Sequence, residues 1–383
     1  MAANGRQELT ERFRRFAAGA EVDLFEGALL VSELIDPSED IAAARARIEE
    51  LGGGVQSRRR RGETSLDALR AVLFTEEKFR GDTDSYDDPF NSSVARVLAS
   101  RRGLPITLSI VTLEVGRRAG LRLAGVGLPG HFVVGGEDLP AGTFLDPFEE
   151  GSLCDREALS RRVGTLFGVE MELPPEAFLP DAPRSILTRV LFNLRRSYER
   201  RDRYPEALEA LEWAEALDPE EKGFLRERGL LLLKAGRSEE ALTVLETYVA
   251  SGAGEDREAV SKLVGIVREH ASSSGAELVR PAEKRIFKLE EARGLLARVK
   301  ELTSEAAFRY ARLGEGGGET EEERQGIVRD WAKEILALGC EIKGLWLVDF
   351  DSGAGYYCWK YPEPSLDHFH GYEEGFAGRL PLQ

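Results

Sequence analysis

Two residues near the middle of this chain are of types that do chemistry together. His131 follows the turn dipeptide Pro129-Gly130, and Asp146 closes the next β-rich run, "GTFLD". A histidine beside a carboxylate is the base-and-orienter pair of nucleophilic catalysis. The nucleophile it serves often stands at a helix N-terminus, where the dipole lowers a thiol's pKa. The helix in the right place is "PITLSIVTLEVGRRAG", and it opens on Pro105, a side chain with no nucleophilic atom. Thr107 and Ser109 lie close behind and Cys154 follows Asp146. A hydroxyl would need a base within about 2.6–3.2 Å to serve instead. Ser109 falls a full turn inside an apolar helix, and Cys154, at a loop or helix start beyond the third strand, reads as a small packing residue.

The elements that must position these groups are legible. "SSVARVLASRRG" predicts a helix closed by Gly103, and Pro105 suits the first position of the next helix, where its missing N–H costs nothing. That helix carries Ile106, Leu108, Ile110, Val111, Leu113 and Val115 on most of its sides, which predicts a buried central helix ending at Gly120. "LRLAGVGL", "HFVVGG" and "GTFLDPF" then predict three short strands of a small antiparallel sheet presenting His131 and Asp146. Upstream, "DLFEGALLVSELI" puts Leu24, Ala28, Leu29, Val31 and Leu34 on one helical face, with Glu26 a partly exposed neighbour. The basic run Arg58, Arg59, Arg60 and Arg61, between the glycines of "LGGG" and a polar "GETS", reads as a solvated loop rather than a phosphate-binding patch.

With those residues in view, the segment resembles the transglutaminase-like core of a bacterial family of SirB type, which pairs that core with tetratricopeptide-like repeats. The pattern R-x-G-x-P-I-x-L is carried by Arg101 or Arg102 with Gly103, Pro105, Ile106 and Leu108. G-V-x-x-P-G-H-F follows at Gly125, Val126, Pro129, Gly130, His131 and Phe132, and D-P-F at Asp146, Pro147 and Phe148. The resemblance implies a papain-like α+β core, helix-rich with a small antiparallel sheet. It also implies a retained His131–Asp146 dyad, which reads either as a buried hydrogen-bonded pair left after catalysis was lost or as part of a cleft that still binds an amide or peptide, with Asn91, Arg102, Gly130 and, in the repeats, Tyr198 as the candidate binding residues. In transglutaminases and their papain-like relatives a cysteine opens the buried helix about 15 residues before its closing glycine. Counted from Gly120, that position is Pro105.

Beyond the core, two segments align with a period of 34, pairing Tyr198 with Leu232, Asp202 with Gly236, Ala207 with Ala241 and Leu211 with Leu245. This is the tetratricopeptide period, with alanines where paired helices come close. Two repeats cannot stand well alone, so "DREAVSKLVGIVREH" is expected to cap one end and the core to cover the other. The expected use is docking a protein or peptide, with a helical brace as the structural alternative. The expected organisation is residues 1–182 as the core with its helical lead-in, 183–270 as repeats plus cap, 271–285 as linker, and 286–383 as a separate C-terminal domain.

In that last region "EEARGLLARVKEL" and "GIVRDWAKEIL" predict an antiparallel helical hairpin, "GLWLVDFDSGAGYYCWKY" a β-hairpin around Asp351, Ser352 and Gly353, and the remainder an irregular tail. It resembles a small bacterial family of unknown function, matched at residues 287–293, at Val348, Asp349 and Phe350, and at Cys358, Trp359, Glu363, Pro364, His370, Gly375, Phe376, Gly378 and Arg379. Pro362 and Phe369 replace that pattern's glycine and tryptophan. Cys358, Glu363, His368 and His370 are of metal-ligating types, but no paired spacing such as C-x-x-C joins them, so packing is the expected role and no cofactor is expected. Asp349 and Arg379 read as a structural ion pair or ligand clamp.

Composition narrows the function classes. A net charge of −16 opposes attraction to nucleic acid or anionic lipid. No apolar run approaches the roughly 20 residues that span a bilayer, and the first residues lack the uninterrupted apolar core of a secretory signal. Three cysteines cannot build a disulfide framework, which fits a reducing cytoplasm. The expectation is a non-catalytic, regulatory binding or scaffold protein. The alternative is a hydrolase or acyl-transfer enzyme using His131 and Asp146 with an unconventional nucleophile.

Overall fold

Helix formation in the first part of the chain begins with capped, amphipathic segments. Asp23, Asp40 and Thr64 each accept a backbone N–H at the start of a helix. The computed structural model describes residues 3–167, 172–252, 254, 256–272, 285–312, 318–372 and 379–382. The chain divides into two units, Met1–Ser160 with Glu172–Glu221, and Arg161–Met171 with Lys222–Gln383.

The first unit opens with α1 (Ala3–Ala17), α2 (Leu24–Ile35), α3 (Ile41–Arg60) and α4 (Ser65–Arg70), the last continued by a π turn over Ala71–Glu76. A two-residue strand β1 (Arg80–Gly81), helix α5 (Val94–Ser100) and strand β2 (Arg102–Gly103) lead into α6 (Pro105–Arg118). Strands β3 (Leu123–Leu128), β4 (His131–Gly136), β5 (Thr143–Asp146) and β6 (Ser152–Asp155) follow as one antiparallel meander in the order β3-β4-β5-β6. After α7 (Arg156–Phe167), the helices α8 (Pro183–Glu199) and α9 (Tyr204–Leu217) pack on each other and return to α2 and α1. This is the α+β class, with one more strand in the meander than the three the sequence suggests, and the short pair β1-β2 besides.

The glycine-rich run is where local reading fails. Gly52, Gly53 and Gly54 lie inside α3, not in a loop, because α3 crosses α6 there. A Cβ on Gly52 would stand 2.6 Å from the Cβ of Arg118, so close approach of the two helices requires glycine. The arginines end that helix rather than decorate a loop: Arg58 pairs with Glu63 and Glu76, and Arg59 donates to the Ala119 carbonyl.

The second unit contains α10 (Gly223–Lys234), α11 (Ser238–Ala250), α12 (Arg257–Ser272), α13 (Leu289–Arg312) and α14 (Gly318–Ala337), then strands β7 (Glu341–Gly344), β8 (Leu347–Asp351), β9 (Tyr356–Lys360), β10 (His368–His370) and β11 (Leu380–Pro381). The strands form one antiparallel sheet in the order β11-β10-β9-β8-β7. The tail read as irregular therefore supplies two strands, which sequence patterning misses because each is only two or three residues long. Helix α12 packs on α11 through Val260 and Val264 against Leu245 and Tyr248, as a capping helix should.

The 34-residue period is written into the backbone. Asp202 and Gly236 both adopt positive φ (55° and 74°), each closing a helix, and the residue after each donates back to the carbonyl of Tyr198 or Leu232. This is the helix-ending pattern in which a left-handed residue reverses the chain. Arg203 pairs with Glu206 and Arg237 with Glu240, again one period apart. The linker expected at residues 271–285 lies almost wholly outside the described residues.

Candidate functional site

Helix α6 is the platform of the site. Arg101, in the left-handed region at φ 63°, ends α5 and turns the chain so that Arg102 and Gly103 pair in parallel with Arg80 and Gly81. Leu104 is extended, and Pro105 takes the first helical position. From Pro105 through Thr112 every residue of α6 is buried, and the helix packs against β3 and β4.

Pro129 and Gly130, the latter at φ 63°, make the two-residue turn between β3 and β4, closed by the pair Leu128–His131. His131 thus begins β4 while Asp146 ends the neighbouring β5. The imidazole Nε2 stands 2.7 Å from Asp146 Oδ2. The other carboxylate oxygen accepts the backbone N–H groups of Phe148 at 3.0 Å and Glu149 at 3.3 Å. Both partners are shielded, with side chains 4% and 0% exposed. The dyad expected from sequence is assembled, and its carboxylate is held by three donors.

Phe148 covers the dyad. Its ring meets His131 edge-on at 6.2 Å and Tyr86 at 6.1 Å. Gly81 makes room for it, since a Cβ there would come within 2.4 Å of the ring. A cleft of about 500 Å³ lies on this side, lined by Phe148 with Arg102, Asp84, Glu149 and Glu150, and neither His131 nor Asp146 lines it. The loop beneath is fixed by Gly151, at φ 72°, whose N–H donates to the Asp146 carbonyl at 2.9 Å. A Cβ on Gly151 would sit 2.1 Å from the Phe74 ring. Combined left-handed strain and overpacking predict that Gly151→Ala costs about 2–4 kcal/mol. A drop in the urea midpoint at unchanged slope is the expected readout, and a loss below about 1 kcal/mol would contradict it.

Pro105 has no reactive atom, and the Thr107 hydroxyl donates to the Asn91 carbonyl at 2.8 Å. Cys154 stands on β6, two strands from His131, opposite Phe144 rather than at a helix start. Ser109 is different: its Oγ is buried and has no hydrogen-bond partner. A buried hydroxyl left unpaired costs about 1–3 kcal/mol. Ser109→Ala is therefore expected to leave stability unchanged or raise it by up to about 1 kcal/mol, read from thermal unfolding. A loss above that size would show that the hydroxyl has a partner.

The remaining candidates occupy other roles. Asn91 is 6% exposed and its amide donates to Ser85 O at 2.7 Å and Asp82 Oδ2 at 3.2 Å, so it staples a loop rather than faces a ligand. Arg102 lines the cleft and pairs with Asp84 at 2.8 Å. Gly130 acts through its turn. Tyr198 is only 2% exposed with the Arg203 guanidinium over its ring, a packed position and not a groove-lining one. Phe148, which sequence reasoning noted only as part of a motif, is the residue that joins dyad and cleft.

In the second unit the ligand-type residues sort differently from the sequence reading. Arg379 pairs with Glu363, at 2.7 and 2.8 Å, and not with Asp349. His368 Nδ1 lies 3.8 Å from Glu363. Asp349 instead meets His370, and the two join Cys358 in a buried group whose donor atoms all lie within 4.8 Å of one another. The missed signal was the hairpin register, which sets Asp349 directly opposite Cys358.

Comparison with known proteins finds three matching segments, the second of which crosses the boundary between the two units. Residues 40–192 match the Transglutaminase-like superfamily, residues 194–265 the Tetratricopeptide repeat, and residues 309–382 the family described as Uncharacterized conserved protein (DUF2203). A UPF0162 protein of Xylella fastidiosa is 35% identical over 192 residues, 48% of this chain and 66% of that protein. A UPF0162 protein of Vibrio cholerae is 25% identical over 216 residues, 55% of this chain and 79% of that protein. F-box only protein 21 of Mus musculus is 30% identical over 149 residues, 32% of this chain and 24% of that protein. The matched part thus spans just under two thirds of the Xylella relative. No solved structure matches the chain. In chain order, the segments are thus similar to the transglutaminase-like superfamily, the tetratricopeptide repeat and DUF2203. Among the described residues, no helix is long and apolar enough to cross a membrane.

Proposed function

We propose that the transglutaminase-like segment is a non-catalytic core, and that the chain works as a protein- or peptide-binding scaffold through its repeats. The observation that carries this reading is Pro105 at the first position of α6, where the related enzymes place their nucleophile. The shielding of His131 behind Phe148 agrees with it, because a general base must reach the proton it takes. On this reading His131 and Asp146 are a buried hydrogen-bonded pair that ties β4 to β5. Tetratricopeptide repeats commonly present surfaces to protein partners, and the acidic chain disfavours nucleic acid as the partner. A reducing, cytoplasmic setting belongs to the proposal, supported by Cys154, Cys340 and Cys358 standing as free thiols.

One observation favours the acyl-transfer or hydrolase alternative: the dyad is intact at 2.7 Å while the Ser109 hydroxyl, one turn into the same helix, is unpartnered. Incubating purified protein with broad peptide-amide pools, and with glutamine donors plus amines, separates the two. The scaffold reading expects the same background from wild type, His131→Ala and Ser109→Ala. Turnover lost in both variants would overturn it in favour of a serine nucleophile.

A further inference from the structure

The sheet of the second unit has two unlike faces. Cross-strand partners share a face, so the pairs Asp349–Cys358, Asp351–Tyr356, Cys358–His368 and Tyr356–His370 put six polar or reactive side chains on one side. Val348, Phe350, Tyr357, Trp359 and Phe369 take the other. A buried polar face must satisfy its groups internally, and three of them do not balance as protein alone.

His370 Nδ1 lies 2.8 Å from the Gly371 carbonyl, which can only accept, so Nδ1 carries the proton. In the neutral ring Nε2 then holds a lone pair, and it points at Asp349 Oδ2 from 3.1 Å. Two acceptors face each other. Asp349 Oδ1 is also buried and has no hydrogen-bond partner. The Cys358 thiol completes the group, and Asp349, Cys358 and His370 are 0%, 0% and 3% exposed.

Either an extra proton or a cation resolves this arrangement. A proton on His370 would make a buried ion pair beside a thiol that can itself donate to Asp349, but it would leave Asp349 Oδ1 without a hydrogen-bond partner. A divalent cation uses all three side chains at once. A backbone carbonyl fixing Nδ1–H is also the usual means of aiming a metal-binding Nε2. We propose that Asp349, Cys358 and His370 bind a zinc-class divalent cation through Oδ, Sγ and Nε2. Mixed O, S and N donors suit borderline-soft Zn²⁺ and disfavour Mg²⁺ or Ca²⁺.

Geometry allows this with small movements. Tetrahedral bonds of about 2.0–2.3 Å set donor atoms about 3.3–3.8 Å apart. Here the imidazole and carboxylate are at 3.1 Å and no pair in the group exceeds 4.8 Å. The ligand form of Cys358 is the thiolate, so binding releases the thiol proton to solvent. Arg226, whose field reaches Asp349, is ion-paired with Asp256 and Glu227 and so opposes the cation less than a bare guanidinium would. Three protein ligands leave one coordination position for water or another small donor.

The test uses the full chain after chelation, titrated with Zn²⁺ by calorimetry and with Co²⁺ by absorption. Expected are one Zn²⁺ per chain and, with Co²⁺, a near-ultraviolet thiolate charge-transfer band that Zn²⁺ abolishes. The band should persist in C154S and C340S and vanish in C358S, and Zn²⁺ affinity should fall at least about 100-fold in C358S and H370A. Absence of the band in the wild type would overturn the proposal without relying on any variant being folded. So would Zn²⁺ binding of equal strength in folded C358S, which would place the ion elsewhere.

Discussion

Asp146→Ala is expected to destabilise the first unit by about 3–5 kcal/mol, the range for breaking a buried pair by removing one partner. Three donors lose their acceptor at once: the His131 ring N–H and the backbone N–H groups of Phe148 and Glu149. His131→Ala should cost less, since Asp146 keeps both backbone donors. Asp146→Asn should fall between them, because an amide cannot accept on both sides. Urea unfolding followed by segment-resolved hydrogen exchange checks the order and assigns the loss to the first unit. A smaller cost for Asp146→Ala than for His131→Ala would mean that the carboxylate is not the anchor of this loop.

Trp213→Ala is expected to cost a further class of contact, about 3–5 kcal/mol for truncating a fully packed aromatic. The Trp213 ring is 1% exposed and stacks on Phe13 with centroids 4.0 Å apart. Its indole N–H points at Thr10 Oγ1 from 3.4 Å, and the part-buried pair Arg6–Glu209 flanks it. The contact joins α9 to α1, so the first repeat hairpin is built into the transglutaminase-like unit. Exchange should therefore rise in residues 3–17 as well as in 204–217. A rise confined to 204–217 would instead mark the hairpin as an independent module.

How far the sequence revealed this depended on whether a feature was local. Pro105, the buried α6 and the Pro129-Gly130 turn follow from neighbouring residues alone, as does the 34-residue period that reappears at Asp202 and Gly236. Gly52 could not be read locally because its reason is Arg118, far along the chain on a crossing helix. Tyr198 occupies a repeat position that is conformational rather than ligand-facing. The shielding role of Phe148 depends on Gly81 and His131 converging from separate segments. Asp349 needed the hairpin register to be recognised beside Cys358, and His370 needed strands too short to show a period.

The most direct test of a core that lost its nucleophile at position 105 is to supply one. Wild type and P105C, both in a C154S background, would be exposed to a small aryl acyl ester, with covalent acylation read by intact mass. Expected is no acylation of the wild type, and acylation of P105C at a rate about tenfold lower when H131A is added. That factor holds at pH 6, where a thiol pKa of roughly 6 beside the histidine against about 8.5 without it raises the thiolate fraction about 160-fold and the lower nucleophilicity of the more acidic thiol takes back about 10- to 18-fold. Acylation or ester turnover by the wild type, abolished by both H131A and D146A, would contradict a non-catalytic core.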